Sequence, residues 1–387
     1  TIEMTEEYYD DVTYLEEGLP DLSNFLEENR PVVIHGITSS WKCTQEWLVD
    51  GTLDFDTLSQ KYGDLQVPVE KGGETGYGER ERAQMSFAEY LGLLQSGEAE
   101  TQKLYLKDWH FVRDHPIGKN LYSVPTCFQD DWLNWWWDLK GGDDYRFMYL
   151  GPPGTTTALH HDVLYSYSWS ANVCGRKHWI LFPPEETPKL MGGKGPLKGL
   201  APDARPGCYD PEDYPLLADA QRFCVDQGPG DAIFVPSGWH HQVMNMETTL
   251  SINHNWFNAF NIHRVWQFLE KELCAVRESI GHLQEVMSEN EEWEKQCELL
   301  MQANSAMNMT YFHELLRLKQ KDLKDNTNDL PSNAGSNQSD NNYLADSGTE
   351  VDKRLAQVAQ VLQSIEYHPF ASHHVISTKE NVLHEFT

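Results

Sequence analysis

Between residues 145 and 256 the chain breaks into short β-prone runs separated by the turn-forming stretches "GPPGT", "NVCGRK" and "GPGD". Many short strands punctuated in this way fold as a β-sandwich or a barrel. One run, "LSINHNW", alternates strictly, placing Ser251, Asn253 and Asn255 on one face and Leu250, Ile252 and His254 on the other. A barrel strand with a polar inner face lines a ligand cavity.

The flanks read differently. From 21 to 105, helical patterns alternate with β-branched runs: "PVVIHG" (31–36) is a strand ending in Gly, "FDTLSQKYGD" is a helix stopped near Gly63, and "VPV" is a short strand after it. Ser86 with Glu89 fits a capping box that starts the helix "SFAEYLGLL". After Asn261 the period turns helical, with Ile262, Val265, Trp266, Leu269, Leu273, Val276, Ile280 and Leu283 on one stripe, and 290–302 and 310–324 look helical too. Such a stripe packs on its own domain or serves a homo-oligomer or another partner. The segment 325–350 is rich in Asn, Ser, Asp and Gly, which predicts disorder, because few apolar groups are available to offset its ordering entropy. The organisation expected is N-terminal helices and strands at 1–104, a β core at 105–261, a helical unit at 262–324, the polar insert at 325–350, and a final segment at 351–387 that is helical in part.

A formal charge of −30 argues against a phosphate-backbone partner, which needs clustered Lys and Arg, and favours attraction of a basic protein or peptide or plain solubility. The sequence holds no apolar run of 18 residues, and its acidic start lacks the basic-then-apolar pattern of a secretory signal. The seven cysteines form no CxxC pair, so they read as reduced intracellular thiols and not as a zinc module.

The chemistry-bearing residues cluster in "TALHHDV" and "PSGWHHQV". On a strand, i and i+2 share a face, so Asp162 pairs with His160 and not with His161. A third ligand from another strand would complete two His and one carboxylate, the set used by non-heme Fe(II) oxygenases, although zinc takes the same ligand types. His240 and His241 are the candidates, and strand parity does not choose between them. Lys177 follows "NVCG" in the otherwise apolar strand "KHWILF"; a buried lysine needs an anion, to which the hydroxyls of Thr157 and Tyr105 could also donate.

Together "TALHHD", "CGRKHWILFPP", "GDAIFVPSGWHHQV" and "LSINHNW" resemble the Jumonji C (JmjC) 2-oxoglutarate oxygenases, in family order and spacing over roughly 21–285, and "ENRPVVIHGITSSW" is similar to the entry strand of the small JmjC hydroxylases. The resemblance implies a double-stranded β-helix, a cupin-like jelly roll that is mainly β with helices, with N-terminal α/β elements and a C-terminal helical unit. It makes the distal ligand the sixth residue counted from Pro236, so that His160, Asp162 and His241 hold Fe(II). It assigns Lys177, Thr157 and Tyr105 to 2-oxoglutarate, with Asn255, Asn253 and Asn172 as further cavity residues, and makes O2 the second cosubstrate. Further strings, "LYLKDWH", "DWLNWWWD" and "SWSANVCGRKHW", resemble a cytoplasmic branch of the family that hydroxylates a lysine of the eukaryotic translation termination release factor. "WLNWWWD" either lines a peptide groove or sits in the core. The competing expectations are a JmjC lysine demethylase and a non-catalytic cupin-like binding module.

Overall fold

The structure, a computed structural model, describes residues 12–16, 21–71, 82–194, 198–284, 290–328 and 338–369. Eight strands form the barrel: β1 (Arg146–Gly151), β2 (Thr156–His160), β3 (Tyr167–Cys174), β4 (Lys177–Phe182), β5 (Phe223–Gln227), β6 (Ala232–Val235), β7 (His240–Asn245) and β8 (Thr249–Trp256). They divide between two sheets, β6-β3-β8-β1 inside a nine-stranded sheet and β5-β4-β7-β2 as a four-stranded one, and every pairing among them is antiparallel. Successive strands alternate between the two sheets except at β4 and β5, which are neighbours in the smaller one, and this is the double-stranded β-helix expected.

The two faces of each strand do different work. In β4, Lys177, Trp179 and Leu181 share one face, and Trp179 and Leu181 join Ile233, Val235, Trp239 and Val243 in the barrel's apolar floor. Ile180 and Phe182, on the other face, pack under the long β4–β5 connection through Leu190, Tyr214 and Leu217. The outer face of β3 and β8 carries Trp169, Trp256 and Tyr167, sealed by Phe128 and Phe234 with ring centroids 5.1–6.3 Å apart.

The N-terminal segments were expected to flank the barrel; they extend its larger sheet instead. Val32–Ile34 pairs with β6, and Leu104–Trp109 pairs with β1 and leads on to Gln66–Lys71 and Arg82–Ser86. An exposed sheet edge offers unpaired N–H and C=O groups, and the preceding chain satisfies them. The expected helices are present at Phe55–Tyr62, capped by Asp54 and ending at Gly63, and at Phe87–Gln95, where the Glu89 N–H donates to Ser86 Oγ at 3.2 Å. "WLNWWWD" falls in the helix Trp132–Lys140, capped by Asp131, and Trp132, Trp136 and Trp137 are buried, so this cluster is core and not groove.

The chain separates into two compact units, one comprising Thr1–Asp162 and Tyr167–Trp256, the other Val163–Ser166 and Phe257–Thr387. In the second unit, helix Ile262–Ser279 buries Ile262, Val265, Trp266, Leu269, Leu273 and Val276 and packs on helices Asn290–Ser305 and Gln338–Glu366. The expected stripe is interrupted at Ile280, which caps this helix, and Leu283 lies exposed in the separate short helix Gly281–Gln284. The disorder expected for 325–350 is corrected at both ends: Met309–Asn328 runs into this segment, and the last helix begins at Gln338. Residues 329–337 lie outside the described set. Val358, Val361, Leu362 and Ile365 anchor that last helix, and extending a nucleated helix over polar residues fixes one residue per hydrogen bond gained.

Candidate metal centre and anion cavity

Strands β2 and β7 bring His160 directly opposite His241, with ring centroids 4.3 Å apart. Strand β2 ends at His160, so Asp162 is not on the same strand as expected but in the turn beyond it. It still reaches the pair: one ligand atom each from His160, Asp162 and His241 lie within 4.8 Å of one another, and His241 Nε2 is 4.0 Å from Asp162 Oδ2.

The hydrogen bonds around these side chains set their chemistry. His160 Nδ1 is 2.8 Å from the Ala158 carbonyl and His241 Nδ1 is 3.2 Å from the Trp239 carbonyl. A carbonyl only accepts, so both Nδ1 atoms carry the proton and both Nε2 lone pairs are free for a cation. Burial disfavours protonation of both imidazoles, outweighing the pull of Asp162. Burial pushes the Asp162 carboxyl the other way, but His241, His160 and hydrogen bonds from Ser168 and Asn255 together hold it below its ordinary range. The Ser168 Oγ–Asp162 Oδ2 distance is 2.7 Å. Two neutral imidazoles and one oriented carboxylate fit a divalent metal in the two-His, one-carboxylate pattern of iron oxygenases. His161 lies outside this set; its ring meets His240 edge-on at 5.2 Å, and His240 contacts Thr187 Oγ1 at 3.3 Å.

A second group, His110, Asp143 and Asp144, also brings ligand atoms within 4.8 Å. There His110 Nδ1 is bonded to Asp144 at 2.7 Å, and Arg113 and Arg146 already balance the carboxylates, at 2.9 Å from Asp143 and 3.9 Å from Asp144. That cluster is an ion-pair network.

Polar residues line the rest of the cavity in register. Ser168, Ser170 and Asn172 of β3 stand opposite Asn255, Asn253 and Ser251 of β8. Lys177 is 2 % exposed, donates to Ser251 Oγ at 2.7 Å and lies 5.5 Å from the centroid of the Tyr149 ring. Burial lowers its ammonium to about 7, and the charge of Lys107 adds to the effect. No carboxylate among the described residues pairs with it, so the cavity fits an anion. Tyr105 is hydrogen-bonded to Asn245 and Thr157, which brings both predicted hydroxyls together, and burial raises its phenol.

The predicted asparagines fall in three places. Asn255 reaches Asp162, Asn253 accepts from Ser170 and Ser251 at 3.1 Å each, and Asn172 donates to the Gln227 carbonyl at 3.2 Å, tying the two sheets together. Sequence reasoning missed Ser168, Tyr149, Asn245 and Lys107. The inward alternation of β3 was the signal for Ser168; the others depend on register.

The family model for a cupin-like domain matches residues 20–262. The chain is 38% identical over 302 residues to the human 2-oxoglutarate and iron-dependent oxygenase JMJD4, covering 76% of this chain and 71% of that protein, and 39% identical over 305 residues to its chicken counterpart, covering 76% and 70%. It is 35% identical over 305 residues to the Arabidopsis arginine-specific demethylase JMJ20, covering 74% of this chain and 64% of that protein. Fold, metal ligands and relatives agree: the chain belongs to the cupin-like JmjC family of 2-oxoglutarate- and iron-dependent oxygenases. Iron and 2-oxoglutarate are therefore its cofactor and cosubstrate, and the zinc alternative falls away. Among the described residues no helix is long and apolar enough to cross a membrane.

Proposed function

We propose that the protein is a lysyl hydroxylase of the cytoplasm that acts on the eukaryotic translation termination release factor. The observation that carries this reading is the resemblance of "LYLKDWH", "DWLNWWWD" and "SWSANVCGRKHW" to the release-factor branch of the JmjC family. The charge of −30 supports it, because an acidic protein attracts a basic target loop.

In this reading His160, Asp162 and His241 hold iron through three positions and leave the rest for ligands. When bound, iron and 2-oxoglutarate supply the oxidation: O2 is split, one oxygen goes to succinate with release of CO2, and the other is inserted into a substrate C–H bond. The chain's own residues position the partners. Lys177 would pair with the distal carboxylate of 2-oxoglutarate while Thr157 and Tyr105 offer hydroxyls beside it, and Ser168 and Asn255 keep the Asp162 carboxylate turned to the metal. The barrel floor of Trp179, Leu181 and Val243 excludes water below the reacting atoms.

The relationship to JMJ20, named an arginine-specific demethylase, favours a second reading, removal of an N-methyl group by the same oxidation. The two leave different products. Incubated with release factor and, separately, with methylated histone peptides, the hydroxylase adds one oxygen to an unmethylated lysine and releases no formaldehyde. Formaldehyde from the peptides without oxygen gain on the release factor would decide for demethylation.

A further inference from the structure

Strand Leu104–Trp109 pairs with β1 through Leu106 opposite Leu150 and Trp109 opposite Met148, three steps on one strand against two on the other. The extra residue makes a β-bulge, and Asp108 within it sits at φ 55°, a left-handed conformation uncommon for any residue but Gly. The bulge is pinned from both sides: the Tyr149 hydroxyl donates to Asp108 Oδ1 at 2.6 Å, and the Arg82 guanidinium donates to the Lys107 carbonyl at 3.2 Å. Strain held in place next to a site calls for a functional reason.

Its effect is on Lys107. Two residues beyond Tyr105, Lys107 lies on the same strand face and about 7 Å further along. Tyr105 in turn stands 6.1 Å from Tyr149, the ring beneath Lys177. Lys107 is half-buried, and among the described residues its ammonium has no carboxylate or acceptor. The register carries Lys107 past Tyr149 and towards Phe147, which pairs with Asn253 of β8, the side of the cavity from which Asn255 reaches Asp162. Two lysines thus border one cavity, Lys177 over Tyr149 and Lys107 further along the same face towards the metal side. They repel each other until a ligand with two negative ends lies between them.

We infer that Lys107 is a second cosubstrate-binding cation, which holds the metal-proximal carboxylate of the 2-oxoacid while Lys177 holds the distal one. This rests on the cavity being the 2-oxoglutarate site. The bulge, held at Asp108 and at the Lys107 carbonyl, fixes the backbone that carries Lys107, and the division of labour makes each lysine answerable to a different end of the ligand.

The test is binding and not turnover. Full-length protein loaded with Fe(II) without oxygen is titrated calorimetrically with 2-oxoglutarate and with 2-oxopentanoate, which keeps the 2-oxoacid end but lacks the distal carboxylate. Lys107→Met should weaken both ligands by similar factors, about ten- to a hundredfold for one charge-assisted contact, whereas Lys177→Met should weaken 2-oxoglutarate alone. Lys107→Arg, which keeps the charge, should recover most of the affinity, and Fe(II) affinity should be unchanged throughout. Unaltered 2-oxopentanoate affinity in Lys107→Met overturns the assignment. Wild-type protein that binds neither ligand overturns the cosubstrate reading beneath it, so the two failures are distinguishable.

Discussion

Asp162 is held by two hydrogen bonds, from Ser168 and Asn255, and those bonds aim its oxygens at the imidazoles. His160→Ala or Asp162→Ala should abolish stoichiometric Fe(II) binding with the fold retained, whereas His161→Ala, whose ring faces His240, should bind iron normally in the same titration. Ser168→Ala leaves the ligands intact but loosens the carboxylate, so Fe(II) affinity should fall about ten- to a hundredfold. Lys177 gives the site a pH dependence. Its ammonium sits near 7 in the unliganded cavity and rises once a carboxylate pairs with it, so above pH 7 binding must take up a proton. The affinity for 2-oxoglutarate should therefore fall as pH rises from 7 to 9, by up to about tenfold per unit, and this slope should vanish in Lys177→Met.

At the scale of elements, the site depends on irregularities that no periodic pattern contains. Thr157 and His160 are three residues apart, so on a regular strand they would face opposite ways. The pairing of β2 with β7 shifts between His241–His160 and Val243–Thr157, an extra residue on β2 that turns both inward. Alternation alone was enough to place Ser251, Asn253 and Asn255 in the cavity and to find the strands, because period-two burial is written directly in the residue order. It was not enough to choose His241 over His240, to see Lys107, or to show that Asp162 lies past the strand end, since each depends on where a bulge or turn falls. The turn between β3 and β4 sets the position of Lys177. Gly175 there has φ 78°, and a Cβ would meet the Thr248 carbonyl and the Thr249 hydroxyl. Gly175→Ala should cost about 1–3 kcal/mol, seen as a lowered thermal midpoint, and should weaken 2-oxoglutarate through displaced Lys177.

Over the whole molecule, the barrel and its edge strands form one unit and the C-terminal helices another, and all the metal and cavity residues named here belong to the first. The helical unit was legible as a stripe because its apolar spacing is regular, whereas the helices reaching Asn328 and starting at Gln338 were not, because composition reports on local burial and not on helices propagated from an anchored neighbour. The proposed activity is insertion of an oxygen atom from O2 into a lysine of a protein. The direct measurement is isotopic: protein, Fe(II), 2-oxoglutarate and release factor are incubated under isotopically labelled O2, and both products are analysed by mass spectrometry. Lysyl hydroxylation should leave one labelled oxygen in a release-factor lysine for each one in succinate, lost in His160→Ala and Asp162→Ala and kept in His161→Ala. Labelled succinate with an unlabelled, unmodified release factor, or an oxygen on the lysine that comes from water, would contradict it.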